Sequence, residues 1–424
     1  MNPHHALLAE RRIAFGAIGG TQGGPRTYAV ELLRSWAAHP PAWKELLVLS
    51  DRPQVLVPER APQWMRAQRL PLFHPALRPL AERFAIPRAL RAAGCDLYHG
   101  TKNSLPRGLP CAAVTTIHDL APFLQPETFS PLSGRYLRRA ITTAVERAER
   151  VIAVSRTTAR DLVEVLGVSA DRIDVVYNGV SEALLRPAQP TEVRALRQRL
   201  GLDGPLVLCL GTVQPRKNQL AVLEAFLRAQ PRLPANTTCL FVGRAGWQTK
   251  NFERAYARSA GRSLRWIRDF PDRDLRALYG AASLFVSPSS YEGFGITVVE
   301  AMAQGCPVIA LDRGATPEVV GHAGELLPAP DPELLSEAMV RLLEDRSLRA
   351  RYARWGRQRA AAFTWKSSAA RHLASYARAL GECNAVEGAV LDDAASPPAE
   401  AEGEAESIRA LLATPARRRA GISR

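Results

Sequence analysis

Residues 283–317, SLFVSPSSYEGFGITVVEAMAQGCPVIALDRGATP, constrain the fold more than any other stretch of the chain. Residues 283–287 are short, apolar and β-leaning, and Pro288 closes them. Gly293 and Gly295 bracket Phe294 in a loop free to take positive φ and to bring its backbone close to a ligand. Residues 296–304 carry helical spacing, Gly305 stands where a C′ glycine belongs, and Pro307 prevents continuation. Residues 307–311 then read as the next buried parallel strand. Strand, loop, helix and parallel strand make a βαβ unit, and such units build α/β folds. Two carboxylates stand in this one: Glu292 in the loop and Glu300 about one turn into the helix.

The same alternation runs through the rest of the chain. A strand over 13–18 opens into Gly19-Gly20-Thr21-Gln22-Gly23-Gly24-Pro25, and a helix follows over 26–38 with Tyr28, Leu32, Leu33 and Trp36 on one stripe. Strand, glycine-rich loop and helix is the phosphate-approach geometry of a nucleotide-binding half, although the spacing is not G-x-G-x-x-G. Further strands are expected at 46–50, 96–99, 111–116, 151–155 and 174–177, with helices at 135–150 and 157–166. Residues 182–204 lose this rhythm, and Pro187, Pro190 and Pro205 frame a polar helix that reads as a linker. A second series then places strands at 206–210, 238–242 and 264–270 and helices at 219–230 and 273–282. Residues 332–380 read as several helices.

The expected organisation is an N-terminal Rossmann-like domain over 1–182, a linker over 183–204, and a second Rossmann-like domain with C-terminal helices over 205–382. An acidic and then basic tail over 383–424 lacks the apolar density of a core and is expected to be disordered. A length of 424 residues agrees with two domains rather than one core.

A hydrophobic share of 46% with 23% charged residues fits a soluble globular protein, and no apolar run approaches the roughly 18 to 20 residues of a spanning helix. The first residues lack the pattern of a secretory leader. The six cysteines are scattered without metal-ligand or redox spacing, and Cys209, Cys239 and Cys306 lie in or beside apolar segments. Both features set the expectation of a cytoplasmic protein with buried free thiols.

The net charge of +15, nearly all of it arginine, suggests an anionic partner: nucleic acid, an anionic membrane surface or a phosphorylated substrate. Aromatic residues at 7% and the lack of a recognised motif weigh against nucleic acid. In residues 60–91, Arg66, Arg69, Arg78, Arg83, Arg88 and Arg91 face a single acid, Glu82, and alternate with Leu70, Leu72, Phe73, Leu77, Leu80 and Phe84. This fits a segment lying on an anionic membrane, and equally a solvated helix with its apolar side packed on the sheet.

The residues with chemistry to offer gather at strand ends. Arg216 and Lys217, in a loop after a strand, can neutralise a diphosphate with a fork and a point charge. The loop through Glu292, Gly293, Phe294 and Gly295 leads into a helix whose first amides, at Ile296 and Thr297, carry partial positive charge. A diphosphate between these elements meets compensating charge without a metal. Glu300 is placed to accept hydrogen bonds from a ribose, and Glu292 to bind hydroxyls of a group on the far phosphate, which suits a nucleotide-diphosphate sugar. His118, in TIHDL at the C-terminal end of a strand, lies where α/β sheets bind ligands. Taken singly, it reads as structural at least as readily.

The combination of the Gly-rich first loop, DLYHGTKNSLP, TIHDL, VIAVS, VYNGV, LGTVQPRKN, FVGRAGW and SSYEGFGITVVEAMAQGCPVIA resembles glycosyltransferase family 4 over most of the chain. The resemblance implies the GT-B fold, two facing Rossmann-like domains with parallel sheets and an interdomain cleft. It implies retention of anomeric configuration and no metal or other cofactor. It maps donor binding onto Glu292 and Glu300, the donor diphosphate onto Arg216 and Lys217, and a place beside donor sugar and acceptor onto His118. It maps the N-domain loop facing the donor phosphates onto Gly19 and Gly20. The subgroup resembled often uses GDP-mannose in making bacterial surface polysaccharide, with a saccharide or lipid-linked acceptor at the inner face of the cytoplasmic membrane. A UDP-sugar donor, another GT-B enzyme such as a nucleotide-sugar epimerase or a phosphorylase, and a non-enzymatic basic membrane- or nucleic-acid-binding protein are the competing readings.

Overall fold

In the computed structural model, which describes residues 8–18, 23–58, 60–70, 78–259, 261 and 263–381, the chain forms two fully parallel sheets. The first has seven strands: β1 (Arg12–Gly16), β2 (Glu45–Ser50), β3 (Met65–Arg69), β4 (Leu97–Gly100), β5 (Ala112–Ile117), β6 (Arg150–Ala153) and β7 (Ile173–Val175). Their spatial order is β3-β2-β1-β4-β5-β6-β7. Its helices are α1 (Gly23–Ala38), α2 (Arg78–Ala93), α3 (Ala121–Leu124), α4 (Pro131–Arg147) and α5 (Arg156–Leu166). Two helices follow, the short α6 (Glu182–Leu185) and the polar α7 (Pro190–Leu200).

The second sheet has six strands: β8 (Leu206–Leu210), β9 (Thr238–Val242), β10 (Leu264–Ile267), β11 (Leu284–Ser287), β12 (Val308–Leu311) and β13 (Gly324–Leu327). Their order is β10-β9-β8-β11-β12-β13. With them come α8 (Gln219–Ala229), α9 (Lys250–Ser259), α10 (Leu275–Ala281), α11 (Ile296–Ala303), α12 (Thr316–Val320), α13 (Pro332–Glu344), α14 (Arg346–Ala361) and α15 (Trp365–Ala379).

Both sheets reverse their winding once, between β1 and β4 in the first and between β8 and β11 in the second. Loops diverge at such a switch point and leave a crevice beyond the strand ends, where α/β sheets bind ligands. The loop after β8 carries Arg216 and Lys217, and the loop after β11 carries Glu292. The topology therefore brings together residues separated by more than seventy positions in sequence.

The last helix changes the expected division of the chain. The C-terminal helices were all expected on the second domain, yet α15 packs on the first sheet. Trp365, Ala369, Leu373 and Tyr376, spaced every three or four residues along α15, share one buried cluster with Tyr28, Leu32, Leu33 and Trp36 of α1. Trp36 donates its indole N–H to the Ala369 carbonyl at 3.4 Å, and the Ser35 hydroxyl donates to the Trp365 carbonyl at 3.2 Å. The chain returns beside its outgoing strand, with Val180 bridged to Thr364. Gly179 is required at that crossing, since a Cβ there would lie 2.2 Å from the Trp365 nitrogen.

Two strands differ from expectation. β3 lies inside the basic 60–91 stretch, at the sheet edge, where only one side of its backbone needs a partner and Arg66 and Ala67 stay exposed. β13 carries the buried Glu325, paired with Arg341 of α13. The remainder of the basic stretch forms α2, which runs through Pro87, while residues 71–77 lie outside the described ones, as does the tail beyond 381. Cys209, Cys239 and Cys306 are buried free thiols, as read from their apolar surroundings. Among the described residues no helix is long and apolar enough to cross a membrane.

Candidate active site

The loops after β8 and β11 are stitched together before any side-chain charge is considered. Residues 215–217 form one 3₁₀ turn, ended by Asn218 in the left-handed conformation. The Asn218 amide donates to the Pro288 carbonyl at 2.8 Å and to the Ser290 hydroxyl at 2.7 Å, and the Ser290 N–H donates to the Arg216 carbonyl at 2.8 Å. This fixes Arg216 and Lys217 against the segment that holds Glu292.

The three charges form one knot. Lys217 Nζ pairs with Glu292 Oε1, and Arg216 Nη1 lies 3.4 Å from Glu292 Oε2 while donating to the Tyr291 carbonyl. All three side chains are largely buried. Burial alone would raise the Glu292 carboxyl, but the charges of Lys217 and Arg216 outweigh it and bring it down to about 2. Burial likewise opposes the charge on Arg216, and the carboxylates of Glu292 and Asp119 more than offset it.

From Gly293 onward the loop rests on the other sheet's domain. A Cβ on Gly293 would stand 1.6 Å from the His118 carbonyl oxygen and 3.2 Å from Asp119 Cβ, so only glycine permits this approach. The Thr158 hydroxyl donates to the Gly293 carbonyl at 3.3 Å. Gly295 caps α11 at φ +89° without a side-chain acceptor, so the helix begins with Ile296 and Thr297 in a turn that supplies no acceptor of its own for their amides. Phe294 belongs to the loop expected to bring its backbone close to the donor, and its side chain turns the other way, into the protein. Its ring is buried between Tyr177 and Phe363, at centroid distances of 6.1 and 5.4 Å, and serves the packing where the chain crosses between domains.

Glu300 is buried on α11 and accepts a hydrogen bond of 2.8 Å from the Tyr279 hydroxyl. Burial raises its carboxyl to about 7, against the opposing pull of that hydrogen bond. Across the domain boundary, His118 donates from Nε2 to the Thr101 carbonyl at 2.8 Å, and its backbone N–H donates to Asn103 Oδ1 at 2.7 Å. Its ring meets Tyr28 edge-on at 4.9 Å. Burial lowers its pKa, so the ring is neutral with the proton on Nε2, which leaves Nδ1 as an acceptor. Gly19 and Gly20 lie outside the described residues. Among the described residues, no group of three or more His, Cys, Asp and Glu side chains is arranged to hold a metal ion.

Residues 22–184 match the family model described as Glycosyltransferase Family 4, and residues 193–359 match the one described as Glycosyl transferases group 1. The chain is 30% identical over 290 residues to O-antigen chain mannosyltransferase B of Escherichia coli, an alignment covering 68% of this chain and 76% of that protein. The chain belongs to glycosyltransferase family 4. It is an enzyme that transfers a sugar from a nucleotide donor. The chain is also 33% identical over 251 residues to a D-inositol 3-phosphate glycosyltransferase of Salinispora arenicola, where it spans 56% of either protein. Among solved structures, sucrose-phosphate synthase from Thermosynechococcus elongatus superposes with a TM-score of 0.72 at 22% identity, over 88% of this chain and all of that one. The likeness establishes the GT-B fold.

Several residues of this family 4 glycosyltransferase escaped the sequence reading. Tyr291, Asp161, Thr158, Tyr279 and Glu318 all touch the loops or helices just described. Glu318, on α12, accepts hydrogen bonds from the backbone N–H groups of Arg156 and Thr157 at 2.8 and 3.0 Å and so caps α5 of the other sheet's domain. Tyr291 adjoins Glu292 and was within reach of inspection. Asp161 sits on an ordinary amphipathic helix and carried no signal.

Proposed function

We propose that this glycosyltransferase moves mannose from GDP-mannose to a hydroxyl of a saccharide or lipid-linked acceptor, with retention, in the assembly of a surface polysaccharide or glycolipid. Similarity to mannosyltransferase B over 290 residues supports the choice of sugar, and similarity to the serotype-specific mannosyltransferase WbdA of Escherichia coli, 28% identical over 276 residues, supports it further. The enzyme acts in the cytoplasm, at the inner face of the membrane. The domain of the second sheet binds the donor, and that of the first faces the acceptor. A UDP-sugar donor is the competing reading, and crystals of the structural neighbour HepE from Anabaena contain UDP and glucose.

The observation that carries the assignment of roles is the salt-bridged knot of Arg216, Lys217 and Glu292 at the switch point. A diphosphate entering between the two cations and the first amides of α11 competes with the Glu292 carboxylate. Displaced from its cations, Glu292 turns to the hydroxyls of the donor sugar. Glu300 accepts from the ribose. The bond from the anomeric carbon to the phosphate oxygen then breaks, and the bond to the acceptor oxygen forms on the same face. The proton of the acceptor hydroxyl passes to the departing phosphate. Arg216, Lys217 and the amides of Gly295, Ile296 and Thr297 hold the charge that develops there, each contact being worth about 3 kcal/mol of barrier. Neutral His118 orients the sugar and the acceptor through Nδ1.

A thermal-shift panel of GDP-mannose, UDP-glucose, UDP-galactose and UDP-GlcNAc tests the donor. A true donor at a hundred times its Kd adds about 2.7 kcal/mol of stability, enough to separate it from the rest. GDP-mannose is expected to stand apart, and to lose about half of its effect or more in Lys217→Ala. A larger shift with a UDP-sugar transfers the assignment to that donor. Trapping a covalent sugar on Glu292 would overturn the same-face reaction.

A further inference from the structure

Two fully buried histidines have no step in the transfer reaction. His99 of β4 and His372 of α15 stand 5.7 Å apart, ring to ring, and each is hydrogen-bonded to a tyrosine. Both belong to one buried run of hydrogen bonds that also takes in Thr116 of β5 and Tyr28 of α1.

The donors and acceptors of this run admit one direction. His372 Nδ1 is 2.7 Å from the Ser368 carbonyl, which can only accept, so Nδ1 carries the proton. Burial keeps the ring neutral, and Nε2 is left to accept from the Tyr28 hydroxyl at 2.6 Å. With its hydrogen spent, the Tyr28 oxygen accepts from the Thr116 hydroxyl at 2.7 Å. Thr116 in turn accepts from His99 Nε2 at 2.8 Å. Burial keeps His99 neutral as well, so its Nδ1 accepts from the Tyr376 hydroxyl at 2.7 Å. The run leaves α15 at Tyr376, crosses β4, β5 and α1, and returns to α15 at Ser368. Packing alone does not call for it, since apolar groups of the same shape would hold the helix as well. A fully satisfied buried polar run instead specifies one arrangement.

The arrangement that it specifies is the floor beneath His118. His99 and Thr116 lie on neighbouring strands, and two residues further along each stand Thr101 and His118. The Thr101 carbonyl accepts the His118 Nε2 proton at 2.8 Å, so the bond between His99 and Thr116 ties together the two segments that hold the imidazole. Tyr28 meets the same imidazole edge-on at 4.9 Å, and its own ring is pinned at the hydroxyl by Thr116 and His372.

We infer that His99, Thr116, Tyr28 and His372 are positioning residues that act through His118, fixing its ring and its tautomer so that Nδ1 faces the donor sugar and acceptor. Through them α15, the last described helix of the chain, supports the first domain's half of the site from behind. The inference rests on the reading of His118 as the residue that orients sugar and acceptor.

Two measurements test it. In the unaltered protein carrying isotopically labelled histidine, proton–nitrogen correlation spectra should show His99 protonated on Nε2 and His372 on Nδ1. The opposite tautomer at either ring overturns the inference. The second measurement is turnover with methyl mannoside as acceptor and the sugar nucleotide that the thermal-shift panel selects, well below the melting temperature of each variant. Thr116→Val and Tyr28→Phe keep the shape and remove one hydroxyl each. Either should lower kcat about tenfold while donor Kd stays within about twofold, and Thr116→Ser should recover most of the loss. In a His118→Ala background Thr116→Val should have no further effect, because the ring through which it acts is gone. A loss that persists in that background, or equal turnover in Thr116→Val and Thr116→Ser, overturns the positioning role and leaves that of His118 standing. Full turnover in His118→Ala refutes the reading of His118, and the inference with it.

Discussion

Tyr291 donates its hydroxyl hydrogen to the carboxylate of Asp161, and accepts the Leu120 N–H at 3.4 Å. Tyr291 directly precedes Glu292, whereas Asp161 belongs to α5 on the other sheet's domain. One residue beyond Glu292, Gly293 lies against the His118 backbone. Glu292 is therefore held on both sides by the domain that it faces. Its position depends on how the two domains meet, as well as on the loop that bears it.

Breaking this tether should separate binding from turnover. Tyr291→Phe keeps the ring but leaves the buried Asp161 carboxylate without its donor, a loss of about 1–3 kcal/mol. Donor contacts within the second domain are untouched. We expect kcat to fall roughly tenfold or more while donor affinity stays within about twofold, because a misplaced group costs turnover before it costs binding. Calorimetric titration with the donor beside a transfer assay measures both. An equal loss of affinity and turnover would show that Tyr291 supports the loop and nothing more.

The knot around Glu292 makes a prediction about acid. Its carboxyl titrates at about 2, below the ordinary value of 4.5, so its contribution to stability is complete above about pH 4.5 and is lost as pH falls toward 2. The shift corresponds to roughly 3 kcal/mol. Lys217→Ala removes the closer cation and leaves Glu292 with Arg216 alone, so the protein should unfold at a higher pH on acidification. The same substitution should weaken donor binding by about tenfold or more, since a charge-assisted phosphate contact is worth about 1.5–3 kcal/mol. Chemical denaturation from pH 3 to 7 reads the first effect, and donor titration the second. An unchanged acid limb would mean that Arg216 suffices to hold Glu292.

The alternation of strands and glycine-ended helices was legible from residues alone, because each βα unit carries its own periodicity and stop signals. The placement of Arg216, Lys217 and Glu292 in loops after strands, and of Glu300 on the first turns of a helix, was legible as well. What could not be read was which distant surface each element meets. The apolar stripe of α15 predicts a buried face equally well on either sheet, and only packing against α1 selects the first. β3 carries two arginines in five residues and lacks a strand signature, since its register is imposed by β2. Phe294 reads as part of a loop whose backbone approaches a ligand, and nothing local shows that Tyr177 and Phe363 enclose its ring. Asp161 and Glu318 act across the domain boundary, and local sequence holds no record of that.

The packing of α15 on the first sheet also carries a titration. His372 is fully buried, with Nε2 at 2.6 Å from the Tyr28 hydroxyl and Nδ1 at 2.7 Å from the Ser368 carbonyl. Burial lowers its pKa to about 4, against an ordinary 6.5. Its contribution to stability is therefore full above about pH 6.5 and is lost as pH falls through 4. In His372→Gln, the decline of melting temperature between pH 6.5 and 4 should become shallower, while stability at pH 7 drops by about 1–3 kcal/mol as buried hydrogen bonds are lost. A parallel displacement of the whole curve, with the same slope, would exclude His372 as the titrating group.

Glu300 titrates in the opposite sense. Burial lifts its carboxyl from 4.5 to about 7, so it favours the folded state fully below about pH 4.5 and ceases to do so as pH rises through 7. At neutral pH about half of the molecules carry the proton. Ribose hydroxyls that donate to this carboxyl favour its ionised form, and must drive the proton off. Nucleotide binding at pH 7 should then release up to roughly half a proton, and affinity should rise between about pH 5.5 and 7. Calorimetry in two buffers of different ionisation enthalpy measures the release directly. Glu300→Gln cannot titrate, and should abolish the release while weakening binding. If the release persists undiminished in that variant, the proton comes from another group and Glu300 is not the ribose ligand.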